Sequence, residues 1–88
     1  MRYLLIRHRA ADFATWKAAY DAHASARAAA GLKDKELLRD INDQNQIVLL
    51  FEVSDLKRAK DFCESSSLQD AMRGAGVIGK PDIYFLQR

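Results

Sequence analysis

The stretch "QIVLLFEV", residues 46–53, decides the fold. Its β-branched and aromatic residues form a continuous apolar run, the pattern of a strand covered on both faces. With side chains alternating, Ile47, Leu49, Phe51 and Val53 share one face, and Val48 and Leu50 share the other. A second run, "YLLIRHR" at residues 3–9, behaves alike: Tyr3, Leu5 and Arg7 lie on one side, and Leu4, Ile6 and His8 on the other. Both runs need cover on two sides, and the chain has only 88 residues with which to supply it.

Working outward, the first strand spans residues 2–9 and "AAD" breaks it. Asp12 is a good helix N-cap, residues 13–30 are rich in strong helix formers, and Gly31 ends them. "LKDKELLRDI", residues 32–41, reads as a second strand with imperfect alternation, and "NDQN" at 42–45 as a turn. After the 46–53 strand, Ser54 is the expected cap of a helix beginning "DLKRAKDFCES". "SSSLQDAMRGAG" follows as a second helical piece, capped by Ser66 or Ser67 and closed by Gly74 and Gly76. "RGAGVIGKPD" lacks the strand-then-helix context of a phosphate loop and reads as a loop closure leading through Pro81 into the last strand, "DIYFLQ".

The order strand, helix, strand, strand, helix, strand is that of a split βαβ unit, a ferredoxin-like α+β fold in one domain over residues 1–88. Right-handed crossovers put both helices on one face of a four-stranded antiparallel sheet, with the first and third strands at its centre. The other face is then bare although it is apolar. Each Leu or Val buried is worth roughly 1.5–3 kcal/mol, and a contiguous bare patch is sticky. A second copy packed sheet to sheet, helices outward, satisfies that demand. The expectation is a homodimer through the open sheet face.

Composition narrows the partners. Fourteen basic residues are interspersed with 12 acidic ones for a net charge of +2, with no basic stripe of the kind that binds nucleic acid. The basic run "LKRAKDF" is flanked by Asp55, Asp61 and Glu64 and reads as a solvated helix face. Cys63 is the single cysteine, so no intrachain disulfide forms, and no Cys/His spacing suggests zinc. No segment has the length and apolarity to cross a membrane. A reducing, cytoplasmic setting is expected, with no metal and no cofactor.

The first helix carries the residues of greatest chemical interest. At helical spacing Phe13, Trp16, Tyr20, His23, Ala24 and Arg27 fall on one side, and the opposite side is nearly all small. The large residues therefore face the sheet, and several carry polar tips that need partners once buried. Two readings are open: a packed core with a polar rim, or a ligand cavity between helix and sheet. His8 ends a central strand, where the last strand should bring Asp82 and Tyr84 close enough to orient it as a general base. The bland alternative is a histidine at the sheet rim. Glu52 and Arg39 interrupt apolar faces and read as a structural ion pair across the sheet or the dimer joint. Cys63 reads as a small packing residue.

Four stretches, "DFATWKAAYDAH", "LLRDINDQNQIVLLFEV", "SDLKRAKDFCESSSLQDAM" and "AGVIGKPDIYFL", give the chain a resemblance to the dimeric α+β-barrel superfamily. Within it the chain is most similar to small bacterial proteins related to antibiotic biosynthesis monooxygenases. The resemblance implies the fold and a homodimer. Monooxygenase members often carry a tryptophan near the end of the third strand and a histidine on the next helix, where this chain has "FEVSD" and "RAKDFCES". The Asn–Trp–His set of haem-degrading members has no matching histidine here. Trp16 and His23 lie on a different helix and do not inherit those roles.

The reading is thus a cofactor-independent monooxygenase or isomerase-like enzyme acting on a small aromatic or polyketide-like molecule. His8 or His23 would handle a proton. Trp16, Tyr20, Phe51 and Tyr84 would shape the ligand site, and Arg27 would offset developing negative charge. The competing reading is a non-catalytic ligand-binding or structural homodimer, in which the same residues pack the core and rim.

Overall fold

The computed structural model describes all 88 residues. Four strands, β1 (Arg2–Ala10), β2 (Leu32–Arg39), β3 (Gln46–Val53) and β4 (Val77–Gln87), form one antiparallel sheet in the order β2-β3-β1-β4. Four helices, α1 (Phe13–Ala22), α2 (Ala24–Ala29), α3 (Leu56–Glu64) and α4 (Ser66–Gly74), complete the chain. The architecture is the ferredoxin-like α+β fold, with the expected first helix divided in two and the second half of the helix layer in the two pieces expected. Leu4, Ile6, Ile47, Leu49 and Phe51, from the two central strands, meet Trp16 of α1 and Ala59 of α3 in the core.

Each division has a local cause. The long first helix breaks at His23, whose N–H bonds the Tyr20 carbonyl at 3.2 Å. The same carbonyl accepts Nη1 of Arg27 at 2.6 Å, so a side chain competes for a helix acceptor. Between α3 and α4, Ser65 takes an extended conformation. Its hydroxyl donates to the Phe62 carbonyl at 2.7 Å and accepts from the Leu68 N–H at 3.2 Å, closing one helix and opening the next. Ser65, not Ser66 or Ser67, is therefore the cap.

Asp55, not Ser54, caps α3 by accepting from the Arg58 N–H at 3.1 Å. Ser54 is engaged elsewhere, its hydroxyl and N–H both donating to the Gly31 carbonyl. Gly31 has φ of +78°, and a Cβ there would stand 2.9 Å from Ser54 Oγ, so both backbone conformation and close approach require glycine.

Two irregularities shape the sheet. Lys35 is extra between the pairs Asp34↔Phe51 and Glu36↔Leu50, a bulge that accounts for the poor alternation of "LKDKELLRDI". β2 also stops at Arg39, short of the expected end, because the Asp40 side chain accepts from the N–H groups of Asn42 and Asp43 and turns the chain. On the other edge, Arg7 pairs with Asp82 and Arg9 with Ile78, so Gly79, Lys80 and Pro81 stand opposite His8 alone. "VIGK", expected in a loop, is thus the first part of β4. Pro81 is tolerated because β4 is an edge strand.

The helices cover one face of the sheet. On the other, Tyr3, Leu5, Val48 and Leu50 are only half-buried, and Leu38, Tyr84 and Leu86 are exposed. This apolar band lies between ion pairs: Arg7 with Asp82 at 3.1 Å and Lys35 with Glu52 at 3.5 Å. Glu52 and Arg39 do not pair. Arg39 lies on the helix-covered side, its guanidinium 3.6 Å from the Phe13 ring centroid and its Nε donating to the Gln44 carbonyl.

Candidate functional site

A cavity of about 70 Å³ opens between the helix layer and the sheet. Ile6, His8, Leu49 and Phe51 form its floor, Trp16 and Tyr20 one wall, and Phe62 and Met72 the other. The lining is apolar apart from His8, His23 and Arg27. The four first-helix residues with polar tips, Trp16, Tyr20, His23 and Arg27, and the strand residue His8 are thus gathered in one place.

His8 is the central feature. It is 6% exposed, and neither Nδ1 nor Nε2 has a hydrogen-bond partner in the protein. An unpartnered buried polar group costs about 1–3 kcal/mol, so a fold keeps one for a reason. The β4 bulge lies directly opposite His8. The expected neighbours are absent, because Asp82 and Tyr84 pair with Arg7 and Leu5, which point to the other side of the sheet. Burial with no compensating bond lowers the His8 pKa from 6.5 to about 4, so at neutral pH the ring is uncharged. It then carries one N–H donor and one nitrogen acceptor.

The α1 wall is a ladder of rings. Phe13 and Trp16 stack with centroids 5.8 Å apart, and Trp16 and Tyr20 at 4.8 Å. Arg27 continues the ladder, its guanidinium 3.6 Å from the Tyr20 ring centroid. Burial pushes the Tyr20 hydroxyl up to about 12, although the Arg27 charge pulls the other way, so Tyr20 stays a neutral phenol. Arg27 is 6% exposed and spends Nη1 on the Tyr20 carbonyl. Its Nε is 3.4 Å from Asp34 Oδ1, an ion-pair distance without hydrogen-bond alignment, and Nε has no hydrogen bond. Arg27 thus gives the cavity a positive edge while anchoring the α1–α2 joint.

His23 lies at that joint and stacks on Phe62 of α3, centroids 6.1 Å apart. Phe51 is 2% exposed and belongs as much to the core as to the cavity floor. Tyr84 lies away from the cavity, 53% exposed on the open sheet face. Its place follows from the register, which puts it beside Leu5. The sequence reading passed over Phe62 and Met72. For Phe62 a signal existed: Leu56, Ala59, Phe62 and Cys63 recur at helical spacing and mark the inner face of α3. Cys63 is half-buried, and burial raises its thiol to about 11, which fits packing and not reactivity. No group of His, Cys, Asp and Glu has the arrangement of a metal site.

Neither a family model nor a curated protein matches the sequence. Solved structures match the fold. A protein from Bordetella bronchiseptica, provisionally named an antibiotic biosynthesis monooxygenase, superposes with a TM-score of 0.79 at 16% identity, covering 99% of this chain and 95% of that one. A similarly named protein from Nitrosomonas europaea gives 0.70 at 14% identity, covering 100% and 98%. SnoaB, a cofactor-independent oxygenase from Streptomyces nogalater, gives 0.76 at 12% identity, covering 99% and 91%. Over nearly its whole length, the chain has the ferredoxin-like α+β fold found in the structures of antibiotic biosynthesis monooxygenases.

Proposed function

We propose that the cavity is the active site of a cofactor-independent monooxygenase acting on a small, acidic aromatic molecule such as a polyhydroxylated phenol. One observation carries the reading: His8 is a buried, uncharged imidazole with both nitrogens unpartnered in an otherwise apolar cavity lined by aromatic rings. Likeness of fold to a cofactor-independent oxygenase adds to it.

The aromatic wall of Trp16 and Tyr20, whose ring faces are taken by the ladder, presents ring edges to the substrate ring. His8 accepts the phenolic proton. A base with a pKa near 4 holds that proton only while the phenolate remains beside it, so the site favours acidic phenols. The positive edge at Arg27 offsets the phenolate charge. The phenolate is electron-rich enough to be oxidised by dioxygen. A phenolic C–H becomes C=O, the product is a quinone, and the second oxygen atom leaves as water, so no outside reductant is needed. The same base could return the proton to another carbon, which is the isomerase-like variant.

The protein acts as a homodimer through the open sheet face, where Leu5, Val48, Leu50, Tyr84 and Leu86 lack cover. A reducing, cytoplasmic setting suits its single cysteine. No helix is long and apolar enough to cross a membrane.

The non-catalytic reading keeps one observation in its favour: Arg27 is engaged within the fold through Tyr20 and Asp34. Oxygen-electrode assays with a panel of single-ring polyhydroxylated phenols separate the two. Catalysis predicts oxygen uptake by the wild type that His8→Phe abolishes while the circular dichroism spectrum is retained. Binding by wild type and H8F alike, with no oxygen uptake by either, supports the binding module.

A further inference from the structure

The helix layer is built as two halves. Within α1–α2 and within α3–α4, side chains bond to their own pair, as Arg27 does to the Tyr20 carbonyl and Ser65 to Phe62 and Leu68. No hydrogen bond or ion pair runs between the helices of the two halves, which are tied only at their ends, where Ser54 before α3 donates twice to the Gly31 carbonyl after α2. The stack of His23 on Phe62 bridges them, and both rings line the cavity. The His23 side chain makes no cap bond at the helix junction where it sits.

The cavity is also small for an aromatic guest. At about 70 Å³ it offers roughly half the space of an engineered apolar cavity of about 150 Å³ that takes up benzene. The floor cannot yield, since β1 and β3 are central strands bonded on both sides. The α1 wall is fixed by the Trp16–Tyr20 stack and the Arg27 clamp. The α3–α4 wall contributes Phe62 and the flexible side chain of Met72, which can change rotamer without moving its helix.

We propose that the His23–Phe62 ring pair is the gate of this cavity and sets its ligand size, admitting a single aromatic ring and excluding two fused rings. The proposal rests on the reading of the cavity as an aromatic-ligand site. A ligand parts the pair along the seam between the helix halves, and the Phe62 ring then occupies the space a second fused ring would need. Phe62 is thereby a specificity-determining residue, and His23 serves the gate and not the proton transfer.

Trp16 is the single tryptophan, so its indole N–H gives one isolated NMR signal inside the cavity. Titrate wild type, Phe62→Ala, Phe62→Leu and His23→Ala with phenol and with 1-naphthol, following that signal. The expected result is saturable binding of phenol by the wild type and at least tenfold weaker binding of 1-naphthol. F62A should reverse or erase that preference, and F62L should narrow it. H23A should speed phenol exchange at least tenfold. If F62A fails to fold by circular dichroism, F62L and H23A decide. Phenol binding with an unchanged preference and unchanged exchange in the folded variants overturns the gate and leaves the cavity reading standing. Failure of phenol to move the Trp16 signal in the wild type and in the variants overturns both.

Discussion

The imidazole of His8 meets the indole of Trp16 edge to face, centroids 5.5 Å apart and planes inclined at 62°. The contact packs the histidine against hydrocarbon and supplies no hydrogen bond to either of its nitrogens. Packing, stability and chemistry are therefore joined at this pair, and changes at the two residues should separate them.

His8 should make stability depend on pH. Its folded pKa is about 4, against 6.5 unperturbed. Between these values the unfolded chain binds the proton and the folded chain does not. Its contribution is therefore complete above pH 6.5 and is lost as pH falls toward 4. At about 1.4 kcal/mol per pKa unit, the loss is roughly 3 kcal/mol. Urea denaturation across this range should show the slope, and His8→Phe should flatten it while holding or raising stability at pH 7.

Trp16→Ala should cost about 3–5 kcal/mol, the usual penalty for emptying a buried aromatic site. Trp16→Phe should recover most of it, because the new ring can still stack on Tyr20. Guanidinium unfolding midpoints test the order. A loss below 1 kcal/mol for the alanine variant would mean that the Trp16 ring is not a core element.

The open sheet face should hold two chains together. Sedimentation velocity at low micromolar concentration should give the mass of a dimer. Leu50→Lys, at the middle of the bare face, should weaken association at least 100-fold. It should preserve the fold, since Leu50 is only half-buried within one chain. A monomeric wild type would remove the dimer from the proposed function.

Ser65→Ala removes a donor to Phe62 and an acceptor for Leu68 in one step. The cost should be about 1–2 kcal/mol, in the range of a lost N-cap. Ser66→Ala and Ser67→Ala should each change stability by less than about 0.5 kcal/mol. The comparison of the three thermal midpoints identifies the cap directly.

The central strands were legible because alternation is a local property. Ile47, Leu49, Phe51 and Val53 declare a face without reference to any other part of the chain. The break at His23 and the choice of Ser65 as cap were less so. The first arises when Arg27 turns its side chain back onto the Tyr20 carbonyl, a contact that competes with helix bonding and leaves no mark on helix propensity. At Ser65, three adjacent serines are equivalent by type, and backbone geometry chooses among them.

The candidate site shows the same division. Trp16, Tyr20, His23 and Arg27 were found together because one helical stripe carries them. His8 joined them because it shares a face with Leu4 and Ile6. Tyr84 was misplaced relative to that face, because proximity to His8 was inferred from strand order while the pairing of Leu5 with Tyr84 depends on register. Phe62 comes from the other half of the helix layer, and its meeting with His23 is a tertiary event.

The bulge opposite His8 also bears on how the length of this chain can change. Three residues facing one leave a surplus of two, an even number, so the inward and outward sides of β4 stay in phase across the irregularity. Val77 pairs with inward-facing Ala10, and farther along Ile83 and Phe85 still pair with inward-facing Ile6 and Leu4. Deleting two residues from Gly79–Pro81 would close the ladder and keep every side chain on its present side. Deleting one would leave two residues opposite His8, the same one-residue surplus that Lys35 makes in β2, and the ladder can absorb it as an ordinary bulge with Ile83 and Phe85 still inward. The sheet thus tolerates a shorter β4 at this point, and removing a pair would give His8 an ordinary strand neighbour.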